Sequence, residues 1–359
     1  MPNNISKTES PDSLAYTLKK PILHIHFMRI VAAFFVIVNH TVSTVFQTTA
    51  PSGTWYLSLA WFFTSKISVP IFIMITGALL LKKKDSSRKW IRRLTRIAVI
   101  TIVVSALYYI FYHRSDLNTM SIGEFIRLFF KLQISNSLWY LYVYLGLLSM
   151  LPIFQDMAAS LSRSRIEHLL FISLVIVGGL PLVSLIFQID INTYITLALI
   201  TPYIGMLFAG YYIEHYVKIG FKEFVIAAVS FLLLIIFQVA FTKHLYGIDP
   251  SNFLLLDERT YITIVGSASC VYIMAKYLFS IIRIPEWFER LICYIGGLTF
   301  GIYLISDMVI FTAGDIILPA LFSRMYVLLA MLIFECIVFT LCALITAVLK
   351  LVPFINKWL

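Results

Sequence analysis

The chain has 359 residues, of which 60% are hydrophobic and 13% charged, and its mean hydropathy is +0.91. A soluble domain carries about 25% charged residues, so an ordinary soluble enzyme is excluded, and the lack of period-two alternation excludes a membrane β-barrel. The net charge of +10 is a topology signal, not a nucleic-acid footprint, because most of the basic residues fall in alternate segments between apolar runs.

Ten runs are long enough to span a bilayer: 26–46, 55–81, 94–112, 137–155, 168–187, 191–213, 224–242, 260–280, 291–312 and 325–349. With the basic segments inside, the expected fold is an all-α polytopic bundle of about ten transmembrane helices with both termini cytoplasmic. Residues 1–22 read as a flexible cytoplasmic segment and 23–359 as one membrane domain. No small-residue cleavage site follows the first run, so it reads as an uncleaved anchor. Pro70 lies within the second run, which is read as a short interfacial piece followed by a span. The loops near 82–93, 113–136 and 243–259 are too short for a second folded domain.

The first run, HFMRIVAAFFVIVNHT, carries Arg29 and His40. Eleven residues advance a helix by about 16 Å and return it to within about 20° of the same face. One stripe of this helix therefore joins the cytoplasmic edge to a point beyond mid-bilayer. Charged side chains near the bilayer centre cost about 2.5–3.5 kcal/mol and usually face a bundle interior or water. Arg29 alone serves equally as a membrane-edge anchor that reaches out to water. His40 fits either a hydrogen-bonded structural role or general-base work. Lys66, Asp307 and Glu335 also fall inside runs. Each is a functional candidate or a member of a neutralising pair, for example Lys66 with Asp307.

The stretch LKKKDSSRKWIRRLTRI, Leu81 to Ile97, is the densest charge run, with Asp85 its one acid. It suffices as a topology anchor. Its functional alternative is a binding site for a phosphorylated ligand: Arg93 and Arg96 are three apart and share a helix face, where paired guanidinium groups can grip phosphate oxygens. Cys270, Cys293, Cys336 and Cys342 all lie in apolar runs and read as small buried hydrophobes. No Cys/His cluster points to a metal.

Together these features resemble the acyltransferase-3 family, bacterial membrane enzymes that acylate extracytoplasmic glycans. The resemblance covers essentially the whole chain. Its strongest element is the Arg-x10-His spacing of Arg29 and His40. Val69 to Gly77 (VPIFIMITG) resembles the family's "VPlFFmiSG", Arg93 and Arg96 its Arg-x-x-Arg motif, and SLWYLYVYLGLLSMLPIF, from Ser137, its "LWFL…LP". IGGLTFGIYLISDMVI resembles "iG..sfgIYLiH". Tyr144 stands where many members have Glu, and Ser306 where many have His.

The resemblance implies a membrane O-acyltransferase in a bacterial cell membrane. The donor is acetyl-CoA or another short acyl-CoA, no metal takes part, and the acceptor is a cell-surface glycan or lipid-linked saccharide. The donor's phosphates would meet Arg92, Arg93 and Arg96 with help from Arg29, and its pantetheine arm would thread a buried corridor to His40. His40 would act as base or as acyl carrier, with Asp307 as its supporting acid. Asn39, Lys66, Thr76 and Ser306 are the candidate donors to the oxyanion. Lys66, Trp139 and Tyr140 are the candidate substrate-binding residues. The competing reading is a polytopic transporter or flippase for a glycan or small polar substrate.

Overall fold

The computed structural model describes residues 22–41, 43–115, 120–187, 201–250 and 262–358. The expected N-terminal segment, 1–22, lies outside the described residues apart from Ile22. All regular structure among the described residues is helical. In chain order the helices are α1 Leu23–Thr41, α2 Ser43–Thr48, α3 Gly53–Ser65, α4 Ser68–Leu80, α5 Ser87–Tyr112, α6 Ile122–Phe130, α7 Trp139–Ser149 and α8 Leu151–Ser160. There follow α9 Arg163–Ile172, α10 Leu180–Phe187, α11 Pro202–His215, α12 Phe221–Ile248, α13 Ile262–Ile281, α14 Glu286–Phe322, α15 Val327–Lys350 and α16 Pro353–Asn356.

Among the described residues, eight stretches are long and apolar enough to cross a membrane: Leu23–Thr48, Gly53–Leu80, Ser87–Tyr112, Arg163–Phe187, Phe221–Ile248, Ile262–Ile281, Glu286–Phe322 and Val327–Lys350. The pair Asn136–Ser149 and Leu151–Ser160 makes a ninth if its 57° bend is counted within one span. The sixth run, 191–213, lies partly outside the described residues, so the ten expected crossings are not all covered by them. The fourth run is broken because Pro152, in the first turn of α8, has no N–H to bond back into α7. The sixth, 191–213, is described only from position 201, where α11 adds 14 residues. Pro70 does not divide the second run. It lies in the first turn of α4, where its missing N–H costs nothing; the break falls earlier, at Lys66–Ile67.

Two further elements depart from expectation. The loop near 113–136 contains α6, whose Ile122, Phe125, Ile126, Phe129 and Phe130 recur at helical spacing and bury no residue fully. Such a short amphipathic helix fits a membrane interface better than a span. The ninth run does not stop at 312 but continues to Phe322 as a 37-residue helix. At 1.5 Å per residue this is about 55 Å, well beyond a hydrocarbon core of about 30 Å. Between α9 and α10 the turn Ser173–Gly179 is π-helical, with the Leu180 N–H donating to the Val175 carbonyl five residues back.

Helix directions follow from contacts. Along α5 and α14, Tyr108 donates to the Leu304 carbonyl at 3.2 Å and Tyr112 to Asp307 at 3.2 Å, so both helices rise together. A Cβ on Gly296 would touch His26, which sets α1 alongside α14. Helix α15 returns against α14: Lys350 Nζ donates to the Gly297 carbonyl at 2.7 Å, and Gly301 faces Thr346. The closest crossing joins α4 and α11. A Cβ on Gly77 would fall on the Leu207 backbone, and one on Gly210 on the Met74 backbone. Two glycines thus let two backbones meet, the small-residue packing that membrane helices favour. The largest apolar core lies around this crossing, α1 and α5, while α12 turns Val229, Leu232, Leu233 and Ile236 outward, as a lipid-facing helix does.

Candidate active site

Helix α1 contributes Arg29 from its second turn, and α5 contributes Arg93 and Arg96 from its first three turns. Because these helices rise together, the three guanidinium groups converge on one cavity of about 340 Å³. Its further lining comes from Phe72 and Thr76 on α4, Tyr140 and Tyr144 on α7, and Gly296, Gly297, Phe300 and Tyr303 on α14. Ligand pockets run from about 300 Å³ upward and combine apolar walls with a few placed polar groups. Here the cations sit at the end where the helices begin, and the walls become aromatic with depth: Tyr140 stacks on Tyr144 at 5.7 Å and lies edge-on to Tyr303 at 5.6 Å.

The arginines are individually held. Arg93 forms an ion pair with Asp85, the lone acid of the basic run. Asp85 is itself fixed by Gln155, whose Oε1 accepts from the Asp85 N–H at 3.3 Å while its Nε2 donates to the Leu80 carbonyl at 3.0 Å. Arg96 donates through Nε to the Trp358 carbonyl at 2.9 Å, which leaves its two terminal nitrogens for a ligand. Arg92, expected beside them, is exposed and does not line the cavity. One residue along a helix turns a side chain by about 100°, so Arg92 and Arg93 face different ways.

His40 sits in the last turn of α1, partly buried, and does not line this cavity. This cavity covers the inner part of the passage expected from Arg29 to His40, with Phe72, Tyr140 and Tyr303 among its lining. The side chains flanking His40 in sequence are tied to other helices. Asn39 accepts from Lys66 Nζ at 3.2 Å, and Lys66, fully buried, lies over the Phe62 ring at 4.1 Å. Thr41 donates to Glu335 Oε1 at 2.9 Å, and Trp61 Nε1 donates to Glu335 Oε2 at 3.1 Å. Glu335 is wholly buried. The fold thus gathers Asn39, His40, Lys66, Trp61 and Glu335 at the end of α1.

Asp307 is held elsewhere. Its carboxylate accepts from Tyr112 at 3.2 Å and from the hydroxyls of Ser135 and Ser137 at 3.1 Å each. It lies one turn beyond Tyr303, whose hydroxyl donates to the Ser137 carbonyl at 2.7 Å. The expected pair of Lys66 with Asp307 is not formed: Lys66 bonds Asn39, and Asp307 receives three hydroxyls. Tyr140, expected at an acceptor cleft, lines the arginine cavity instead, and Trp139 packs between Tyr140 and Tyr203. The hydroxyls of Thr76 and Ser306 donate to the Phe72 and Tyr303 carbonyls of their own helices. Sequence reasoning missed Gln155, Tyr303, Gly297 and Trp358. Tyr303 carries a signal, the tyrosine of the GIYLIS stretch; the other three carry none that spacing reveals.

Among the described residues no group of three or more His, Cys, Asp or Glu is placed to hold a metal ion. No curated protein and no solved structure matches the chain. A family model described as an acyltransferase domain matches residues 22–349, nearly the whole length. With its apolar helices and this continuous match, the chain belongs to the acyltransferase-3 family of membrane acyltransferases.

Proposed function

We propose that this protein transfers an acetyl or other short acyl group from cytoplasmic acyl-CoA to a hydroxyl of a cell-surface or lipid-linked glycan. The observation that carries this reading is the convergence of Arg29, Arg93 and Arg96 on one cavity whose deeper walls are aromatic. Cationic guanidinium groups suit a diphosphate, and a narrow aromatic interior suits the thin pantetheine arm. The reading sets the arginine end in the cytoplasm, both termini on that side, and the whole in a bacterial cell membrane. The arm then points along α1 towards His40, past Phe72 and Tyr140, whose side chains must turn aside when it enters.

At the far end His40 takes the proton of the acceptor hydroxyl. The hydroxyl oxygen attacks the thioester carbonyl, a C–O bond forms, and the C–S bond breaks. The imidazolium returns its proton to the departing thiolate, leaving an ester and free CoA. A positioned base of this kind contributes about 10²–10⁴-fold. The supporting carboxylate is Glu335, which is bonded to Thr41 directly beside His40; Asp307 is engaged by three hydroxyls of its own. Lys66, turned towards Asn39, faces the developing oxyanion.

The test is ligand-dependent stability. A ligand that binds the folded state at 100 times its Kd stabilises it by about 2.7 kcal/mol. Purified protein is expected to melt several degrees higher with CoA or acetyl-CoA, and Arg93→Ala with Arg96→Ala to remove the shift. A transporter of a glycan would show no shift with CoA in either form.

A further inference from the structure

The segment after α15 returns to the cavity mouth. Lys350, the last residue of α15, donates to the carbonyl of Gly297, a cavity-lining residue. The chain then turns through α16, and the Trp358 N–H donates to the Ile355 carbonyl at 2.8 Å. This turn brings the Trp358 carbonyl to Arg96. The indole is partly buried against the main core, with Phe354 beside it at 6.3 Å. Trp358 thus stands, through its backbone, beside Arg96 at the end of the cavity where α5 and α14 begin.

We infer that Trp358 is a donor-binding residue: its indole is the platform on which the purine of the acyl-CoA stacks while Arg93 and Arg96 hold the diphosphate. This inference rests on the acyl-CoA reading above. A diphosphate gripped by Arg93 and Arg96 sends the pantetheine inward and the adenosine outward. Trp358, whose carbonyl Arg96 holds, is not among the residues that line the cavity. Trp90, another aromatic on α5 at this end, is committed to the scaffold, since its Nε1 donates to the Leu148 carbonyl at 2.8 Å. Base–aromatic stacking contributes on the order of tenfold in affinity per base. Arg96 uses the backbone carbonyl of Trp358, so replacing the indole leaves that hydrogen bond in place.

The experiment compares acyl-CoA with acyl-phosphopantetheine, which lacks the adenosine part, as donors for wild type, Trp358→Ala and Trp358→Phe in membranes. Trp358→Ala is expected to raise KM for acyl-CoA about tenfold, leave KM for acyl-phosphopantetheine unchanged, and leave kcat at saturating acyl-CoA intact. Trp358→Phe is expected to keep most of the wild-type KM. Parallel rises for both donors would make Trp358 a support for Arg96 and overturn the inference. An unchanged or lowered KM for acyl-CoA would overturn it too. If wild type uses neither donor, the fault lies with the acyl-CoA reading itself.

Discussion

The crossing of α4 and α11 allows a sign test on the fold. In an ordinary helix interior, Gly→Ala stabilises by roughly 0.5–1 kcal/mol, because glycine loses more backbone freedom on folding. At Gly77 the added Cβ would coincide with the Leu207 carbonyl group, and at Gly210 with the Met74 carbonyl. A backbone carbonyl cannot rotate away as a side chain can, so the helices must separate. Overpacking of this kind costs about 1–3 kcal/mol, which outweighs the propensity gain. Gly146→Ala on α7 is the control, since nothing lies within 4 Å of its added Cβ. Thermal melts in detergent are therefore expected to move down for Gly77→Ala and for Gly210→Ala, and slightly up for Gly146→Ala. The double variant is expected to cost less than the sum, because one opening of the crossing relieves both contacts. Thr76 precedes Gly77 and lines the arginine cavity, so the CoA-dependent shift should shrink with stability. A neutral or stabilising Gly77→Ala would refute the packing argument.

Two further outcomes separate donor binding from chemistry. His40→Ala is expected to lose acyl transfer at least 10²-fold yet keep the full melting shift with CoA, because His40 lies outside the donor cavity; loss of the CoA shift would place it within the donor site instead. Glu335→Gln is expected to cost transfer by a similar factor while Asp307→Asn retains most activity, measured as acetyl release from labelled acetyl-CoA into glycan; the opposite ranking would restore Asp307 as the acid.

Much of the bundle is legible in the sequence because apolar length is a local property. What was misread was local as well, but mixed in signal. The stretch TAGDIILPALF at the end of α14 contains Gly314, Asp315 and Pro319, which resemble a loop, yet Ile317, Leu318 and Leu321 pack on the same core as Phe334 of α15, and packing overrides propensity. Helix α6 is too short for a span pattern. In the site, spacing paired Arg93 with Arg96 and aligned Arg29 with His40. It could not show that α1, α5 and α14 rise side by side, and only that arrangement brings Arg29 to the other two. Nor could it separate Arg92 from Arg93, or find Trp358, whose carbonyl meets Arg96 from more than 260 positions away.

The charge balance of the cavity gives the arrangement its direction. Arg29, Arg93 and Arg96 line one space of about 340 Å³; Asp85 pairs with Arg93, and Arg96 donates to the Trp358 carbonyl. Three like charges behind low-dielectric walls repel one another more strongly than they would in water. A polyanionic group entering between them would relieve that repulsion as well as add its own attraction, which is the charge balance the proposed diphosphate donor requires. Asp85 opposes this in part, because its carboxylate repels the same phosphates. Gln155 fixes Asp85, accepting from its backbone N–H and donating to its carboxylate at 3.5 Å, and Asp85 is not among the residues that line the cavity, so it is placed to orient Arg93 from outside.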